Sequence, residues 1–269
     1  MTLRWRHNTS NSDVTLTACF YDTIKNGLFN NFLKTLRLIL LNKTYIFRIS
    51  VYAASFITPC ARNSPSFNDC VLKEARKIFK RFAGGIPELG VAPLDPLEMG
   101  DFEMNLSGLR LKNKNAVLKG IRNAHIDEVL IEPDKHRGSC VISGNTTSTA
   151  EYSIDGRFLT FPITGSGNSK LKMVNYKMKI TWEWNLEKGK DGKDHIVLKD
   201  STTSQDMDNM IIRMDGLFGD TMNRILNENW RLILKDIQGP SIKVMQKKMF
   251  VIFNQFYSQI PFDELFPLE

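Results

Sequence analysis

Apolar and polar positions recur with two different periods along this chain, and the two periods separate helical ends from a strand-rich middle. Phe67, Val71, Ala75, Ile78 and Phe82 follow one another at intervals of four and three, with Lys73, Glu74, Arg76, Lys77, Lys80 and Arg81 on the opposite side. That stripe predicts an amphipathic helix. Ser66 opens it, and Asp69 three residues on gives a capping-box-like pattern. Gly84-Gly85 closes it, because glycine accepts the left-handed conformation at a helix end. Proline spacing from Ile86 to Pro96 then reads as a loop.

In the middle the period falls to two. Tyr176, Met178, Ile180, Trp182, Trp184 and Leu186 alternate with Lys177, Lys179, Thr181, Glu183 and Asn185. This predicts a strand with one dry and one wet face, as in an antiparallel sheet. Shorter candidates are 102–111, 126–131, 152–163 and 195–199, with a turn at Gly189–Gly192. The last third turns helical again, with one stripe from Phe218 to Ile237 and a second from Ile242 to Ile260. Gly239-Pro240 is expected to interrupt it, since proline lacks the amide and clashes with the preceding turn. A helix this apolar must be covered, and a curved antiparallel sheet with one dry face is its natural partner. Periodicity alone leaves open whether the dry faces pack as solid core or wall a cavity.

Composition narrows the class. At 269 residues, 42% hydrophobic and 24% charged, the chain suits a folded globular protein with a sizeable core. Its net charge of +7 is concentrated at the front. Seven basic and two acidic residues precede Pro59, leaving 29 basic against 27 acidic for the remainder. A nucleic-acid binder needs a concentrated basic footprint, which the remainder lacks, so no nucleic-acid partner is expected.

Residues 1–58 have their own character. Apolar runs at 36–41 and 49–57, basic residues Lys43 and Arg48, and small residues Ala53, Ala54 and Ser55 outline a secretory signal ending near Ala54. An ordered amphipathic helix is the rival reading. No window reaches the roughly 18 apolar residues of a membrane span, so stable membrane insertion is not expected. Asn8, Asn42, Asn105 and Asn145 begin Asn-x-Ser/Thr tripeptides, which fit a secreted chain without proving one.

The four cysteines are Cys19, Cys60, Cys70 and Cys140. A Cys60–Cys70 bond would close a short loop at the helix start, stabilising it by roughly 2–3 kcal/mol; spacing alone does not assign it. Cys140 adjoins an apolar run and reads as a buried free thiol. Zinc spacing is absent, and His7, His125, His136 and His195 are scattered, so no metal site is nominated. Hydrolase elbow, Walker loop, His-Glu-x-x-His and Cys-x-x-Cys motifs are absent too. No catalytic residue and no cofactor are nominated.

Three segments carry a resemblance. Gly216-Leu-Phe-Gly-Asp-Thr-Met-Asn-Arg-Ile-Leu-Asn-Glu-Asn-Trp230 is similar to the signature of the insect juvenile-hormone-binding and takeout-like family. The ending Ile260-Pro-Phe-Asp-Glu-Leu-Phe-Pro267 matches that family's closing pattern, with Phe262 for tyrosine. Cys60, Cys70 and the loop from Gly85 to Pro96 resemble its first disulfide and following loop. The resemblance covers residues 59–269. It implies an α+β fold in which a long C-terminal helix is wrapped by a highly curved antiparallel β-sheet around an elongated apolar tunnel. It also implies a Cys60–Cys70 disulfide. Cys140 lacks an evident partner for the second disulfide of hormone-binding members, which favours the takeout-like branch.

The expectation is therefore a secreted, extracellular, non-enzymatic carrier of a small lipophilic ligand, with transient membrane or receptor contact during ligand transfer. Its tunnel is expected to be lined by Phe79 and Phe82, by Met178, Ile180, Trp182 and Trp184, and by Met249, Phe253 and Phe256. A secreted interaction protein with a side-chain-filled core is the alternative.

Overall fold

The first apolar stripe becomes helix α1, Phe67–Ala83. Ser66 stands at its N-cap, although its side chain makes no capping hydrogen bond. Gly85 ends it with φ +87°, and a side chain there would crowd the backbone of Pro93. These observations come from a computed structural model that describes residues 57–106, 108–158, 161–216 and 219–269, together with Lys34 and Arg37. The chain divides into two units, Met1–Ile49 and Ser50–Glu269, and the fold described here is that of the second. The expected secretory signal, its end near Ala54, and Cys19 lie outside the described residues.

Seven strands follow: β1 (Leu97–Leu106), β2 (Leu109–Lys119), β3 (His125–Glu132), β4 (Arg137–Phe158), β5 (Phe161–Lys188), β6 (Asp194–Asp206) and β7 (Asn209–Met214). All pair antiparallel in a single curled, half-barrel sheet. Its spine is the long hairpin β4–β5, in register from Arg137 opposite Glu183 to Phe158 opposite Phe161. Each spine strand is flanked by two shorter ones placed end to end. β2 and β3 share the outer edge of β4, while β7 and β6 share that of β5. The spine is irregular where the short strands change over, between Gly144 and Thr146. There Asn175, at φ +48°, donates its amide to Asn145 Oδ1 at 2.9 Å. An irregularity of this kind bends a strand and increases its twist.

Two of the expected strand segments need correction, and two are strands longer than expected. The segment 102–111 is a hairpin of β1 and β2, and 152–163 crosses the turn from β4 to β5. The Tyr176–Leu186 strand is the second half of the 28-residue β5, and 195–199 extends to Asp206.

After β7 come α2 (Asp220–Glu228), α3 (Trp230–Tyr257) and the short α4 (Phe262–Leu265). The expected interruption at Gly239-Pro240 does not occur, for α3 runs through Pro240. Ile237 and Met245 on either side are buried, and that packing offsets the missing proline amide. The break falls instead at Asn229, whose side chain Nδ2 and backbone amide both donate to the Ile225 carbonyl.

The family-like segments hold the ends of the fold together. Cys60 and Cys70 are disulfide-bonded, with Cα atoms 5.8 Å apart. Backbone amides of Cys60 and Arg62 donate to the carbonyls of Leu265 and Pro267. The Arg62 guanidinium pairs with Asp263 at 2.7 Å and lies over the Phe262 ring. In α2, Asn223 and Asn227 stand one turn apart and face β7. Asn227 accepts from the Ile212 amide at 2.9 Å and donates to its carbonyl at 2.7 Å. Asn223 does the same for Met214, at 2.9 and 3.0 Å. The two side chains thus satisfy the outer edge of β7 as a further strand would.

Candidate functional site

Between the sheet's inner face and the helices lies a cavity of about 220 Å³. The sequence builds its walls by both periods at once. Helix α1 contributes Val71, Ala75, Ile78, Phe79 and Phe82, all on one flank of the helix. Strand β5 contributes Tyr176, Met178, Ile180 and Trp182, consecutive positions of one strand face. From α3 come Met245, Met249, Phe250, Phe253, Phe256 and Tyr257. Strands β3, β4 and β6 close the sides with residues such as Ile126, Ile131, Cys140, Ile142 and Leu198.

Eight of the nine nominated positions meet at this cavity: Phe79, Phe82, Met178, Ile180, Trp182, Met249, Phe253 and Phe256. The Phe82 ring lies 5.0 Å from that of Phe253 and 5.3 Å, edge-on, from that of Phe256, so α1 and the end of α3 meet through aromatic contacts. Trp182 is accommodated by Gly138 directly across the β4–β5 pair. A Cβ at Gly138 would sit 2.6 Å from the indole and 2.9 Å from Ile131.

Trp184 is the exception. It is buried at 2% exposure but is not part of the cavity wall. Two residues further along a strand is about 6.6 Å, which carries it past the wall. There it stacks on His136, with ring centroids 6.0 Å apart, and its backbone amide donates to the His136 carbonyl. The indole Nε1 has no hydrogen-bond partner among the described residues.

No residue of the wall carries a charge. Its polar groups are few, and several are already engaged. Tyr176 Oη donates to Gln205 Oε1 at 2.7 Å, Gln246 Nε2 to Thr203 Oγ1 at 2.7 Å, and Ser143 Oγ to Asp127 Oδ1 at 3.0 Å. Burial pushes the Cys140 thiol up to about 12, so it stays protonated at neutral pH. Burial also raises the Tyr176 hydroxyl, and for Tyr257 the nearby Cys140 adds to the effect of burial. The wall is therefore neutral as well as apolar. No cluster of His, Cys, Asp or Glu among the described residues could hold a metal. Nor is any described helix long and apolar enough to cross a membrane.

Sequence reasoning did not reach the polar wall groups. Tyr257 lies four residues after Phe253, on the same stripe, and that spacing could have nominated it. Cys140 and Gln246 carry no comparable signal. Their positions follow from the β4–β5 register and from the turn of α3 that faces β6.

A long helix laid against a curled antiparallel sheet, with a neutral apolar cavity between them, defines a container-type domain. Residues 36–267 match the family model for haemolymph juvenile hormone binding protein, and the chain belongs to that family. Among curated relatives, the circadian clock-controlled protein daywake of Drosophila yakuba is 26% identical over 237 residues, covering 80% of this chain and 89% of the relative. A putative beta-carotene-binding protein of Schistocerca gregaria is 21% identical over 145 residues, covering 53% of this chain and 58% of the relative. Among solved structures, Takeout 1 of Epiphyas postvittana superposes with a TM-score of 0.72 at 29% identity, covering 78% of this chain and all of Takeout 1.

Proposed function

We propose that this protein is a secreted, non-enzymatic carrier that holds one small lipophilic molecule in the cavity between α1, the sheet and α3. The observation that carries the reading is the wall itself: apolar side chains from two helices and five strands line it, with no charged residue. Such a wall rewards the transfer of an apolar molecule out of water. Burying about 400 Å² of ligand surface contributes about 10 kcal/mol, and ordering costs reduce this to micromolar or somewhat tighter binding. Membership of a family named for hormone binding supports the reading, as does a relative named for binding beta-carotene.

The non-enzymatic part is supported by how the His195–Asp191 pair is used. His195 and Asp191 are adjacent, yet both imidazole nitrogens are engaged. Nδ1 lies 3.1 Å from the Tyr257 carbonyl, and Nε2 lies 3.1 Å from both Asp191 oxygens. His195 is therefore a structural tie at the end of α3.

Native mass spectrometry of the purified protein, followed by solvent extraction, tests the carrier reading. The expected result is a stoichiometric, extractable apolar molecule, or uptake of one by the empty protein. Protein that is empty as isolated and takes up no apolar probe would overturn it in favour of a partner-binding role.

A further inference from the structure

The C-terminal half of α3 shows two sides of opposite character. One side walls the cavity with Met245, Met249, Phe253 and Phe256. The helix is seated between the strands β1 and β6. Gln246 Nε2 donates to Thr203 of β6, the Leu198 amide of β6 donates to Asn254 Oδ1 at 2.9 Å, and Ser241 Oγ donates to Met104 Sδ of β1 at 3.5 Å. The side turned away from the cavity carries Pro240, Val244, Lys247 and Val251, which recur at intervals of four, three and four and so form one stripe along the helix. Lys243 and Lys248 flank that stripe, one on each side. Lys243, Lys247, Lys248 and Val251 are exposed, and Pro240 and Val244 are half-buried.

Two features set this face apart from an ordinary solvated helix. Its charge is of one sign: no acidic residue occurs from Ile237 to Phe262, and the three lysines make no ion pair among the described residues. Its centre is apolar: Val251 keeps 55% of its surface in contact with water, an arrangement that a covering apolar phase would relieve. Charge decides against two covers that the chain itself could supply. The residues before Pro59 carry seven basic side chains against two acidic, and a second copy would set lysine against lysine. A nucleic acid would reward the lysines and not the valines. The surface of an anionic bilayer rewards both, because lysines meet the lipid phosphates while small apolar side chains reach the acyl boundary. The helix is not apolar enough to cross a membrane, so the contact is one along the surface.

We propose that this face of α3 docks the protein on anionic phospholipid bilayers, with Lys243, Lys247 and Lys248 on the headgroups and Val251 between them. The docking does not depend on whether the cavity holds a molecule. Under the carrier reading it gains a purpose, since the helix that touches the bilayer also walls the cavity. The contact then brings the cargo to within one helix diameter, about 10 Å, of the phase that dissolves it.

Sedimentation with vesicles tests the proposal, using phosphatidylcholine alone and an equal mixture of phosphatidylcholine and phosphatidylserine. The parent should bind the mixed vesicles, leave phosphatidylcholine unbound and be released as salt is raised. A cation near an anionic surface contributes about fivefold, so Lys243→Gln, Lys247→Gln and Lys248→Gln together should weaken binding about a hundredfold. Lys172→Gln, Lys177→Gln and Lys179→Gln together remove the same charge from exposed positions on the outer face of β5 and should change binding little. Val251→Ser should weaken binding about threefold, because a bilayer rewards the apolar side chain. All these substitutions fall on exposed side chains, and circular dichroism should match the parent. Should the α3 triple variant misfold, its single lysine variants carry the test, at about fivefold each. The proposal is overturned if the parent ignores the mixed vesicles or binds both kinds alike. It is overturned equally if the β5 variant loses as much binding as the α3 variant, or if Val251→Ser binds like the parent. Polyglutamate bound as tightly as the mixed vesicles would also overturn it, by making the face a site for an acidic protein. None of these results touches the carrier reading, which the extraction experiment tests separately.

Discussion

His195 links the turn between β5 and β6 to the end of α3, and the link depends on the charge of Asp191. Burial alone would raise the Asp191 carboxyl. Hydrogen bonds from the Lys193 amide and from His195 outweigh that effect and hold it below its ordinary value. A carboxyl whose folded value is depressed favours the folded state while it is ionised. Its contribution is present above about pH 4, the ordinary carboxylate range, and fades as pH falls through the lower folded value. The parent should therefore be more resistant to urea than Asp191→Asn at pH 7, with the gap closing toward pH 2. Urea midpoints across that range check the prediction, and a gap independent of pH would contradict it. The adjoining ion pair of Lys193 with Glu264 is exposed and adds little. At this scale the sequence was readable where chemistry follows spacing. Phe253 and Phe256 were visible as neighbours on one stripe, and Cys60 with Cys70 by resemblance to a known pattern. The His195–Asp191–Tyr257 tie was not, because it joins a turn to a helix end 62 residues away in sequence.

The elements divide in the same way. Strand β5 announced itself from Tyr176 to Leu186, where one face is dry and the other carries Lys177, Lys179 and Glu183. Strand β4 was legible only at its second end, because Ser143, Asn145, Thr146, Thr147, Ser148 and Thr149 interrupt any alternation. It is a strand because β5 pairs with it along its whole length, and such non-local pairing overrides weak local preference. In α3 the reverse holds: a strong local signal at Pro240 is overridden by burial on both sides. The most economical device at this scale is the pair Asn223 and Asn227. Together they complete the edge of a six-residue strand that the sequence pattern had not revealed. Replacing Asn227 by alanine removes the partners of the Ile212 amide and carbonyl on that edge and should cost about 1–3 kcal/mol in urea unfolding. Exchange of the Ile212 amide with deuterium should quicken more than that of the β4–β5 amides. A variant with unchanged stability and unchanged Ile212 protection would show that the clamp is incidental.

Viewed whole, the described domain places one continuous apolar surface on the inner side of the sheet and fills it incompletely. That incomplete filling is what periodicity could not distinguish from solid core. The stripe on α3 and the dry face of β5 read the same whether they touch or stand apart, and only the curl of the sheet keeps them from closing. A charge placed on the inner side therefore discriminates function from packing. Phe253 lines the cavity, is not fully enclosed by protein, and lies within ring contact of Phe82 and Tyr257. In Phe253→Glu the carboxylate can reach cavity space, so the domain should still fold, as judged by circular dichroism. An apolar probe would then have to share the cavity with an ion whose hydration it displaces, and uptake should fall at least tenfold. Lys179→Glu alters the wet face of the same sheet, where the side chain is exposed, and should leave uptake unchanged. Titrating a fluorescent terpenoid or fatty-ester probe into both variants and the parent makes the comparison. A folded Phe253→Glu that binds the probe like the parent would mean that the probe does not enter this cavity, and the site would have to be sought elsewhere on the domain.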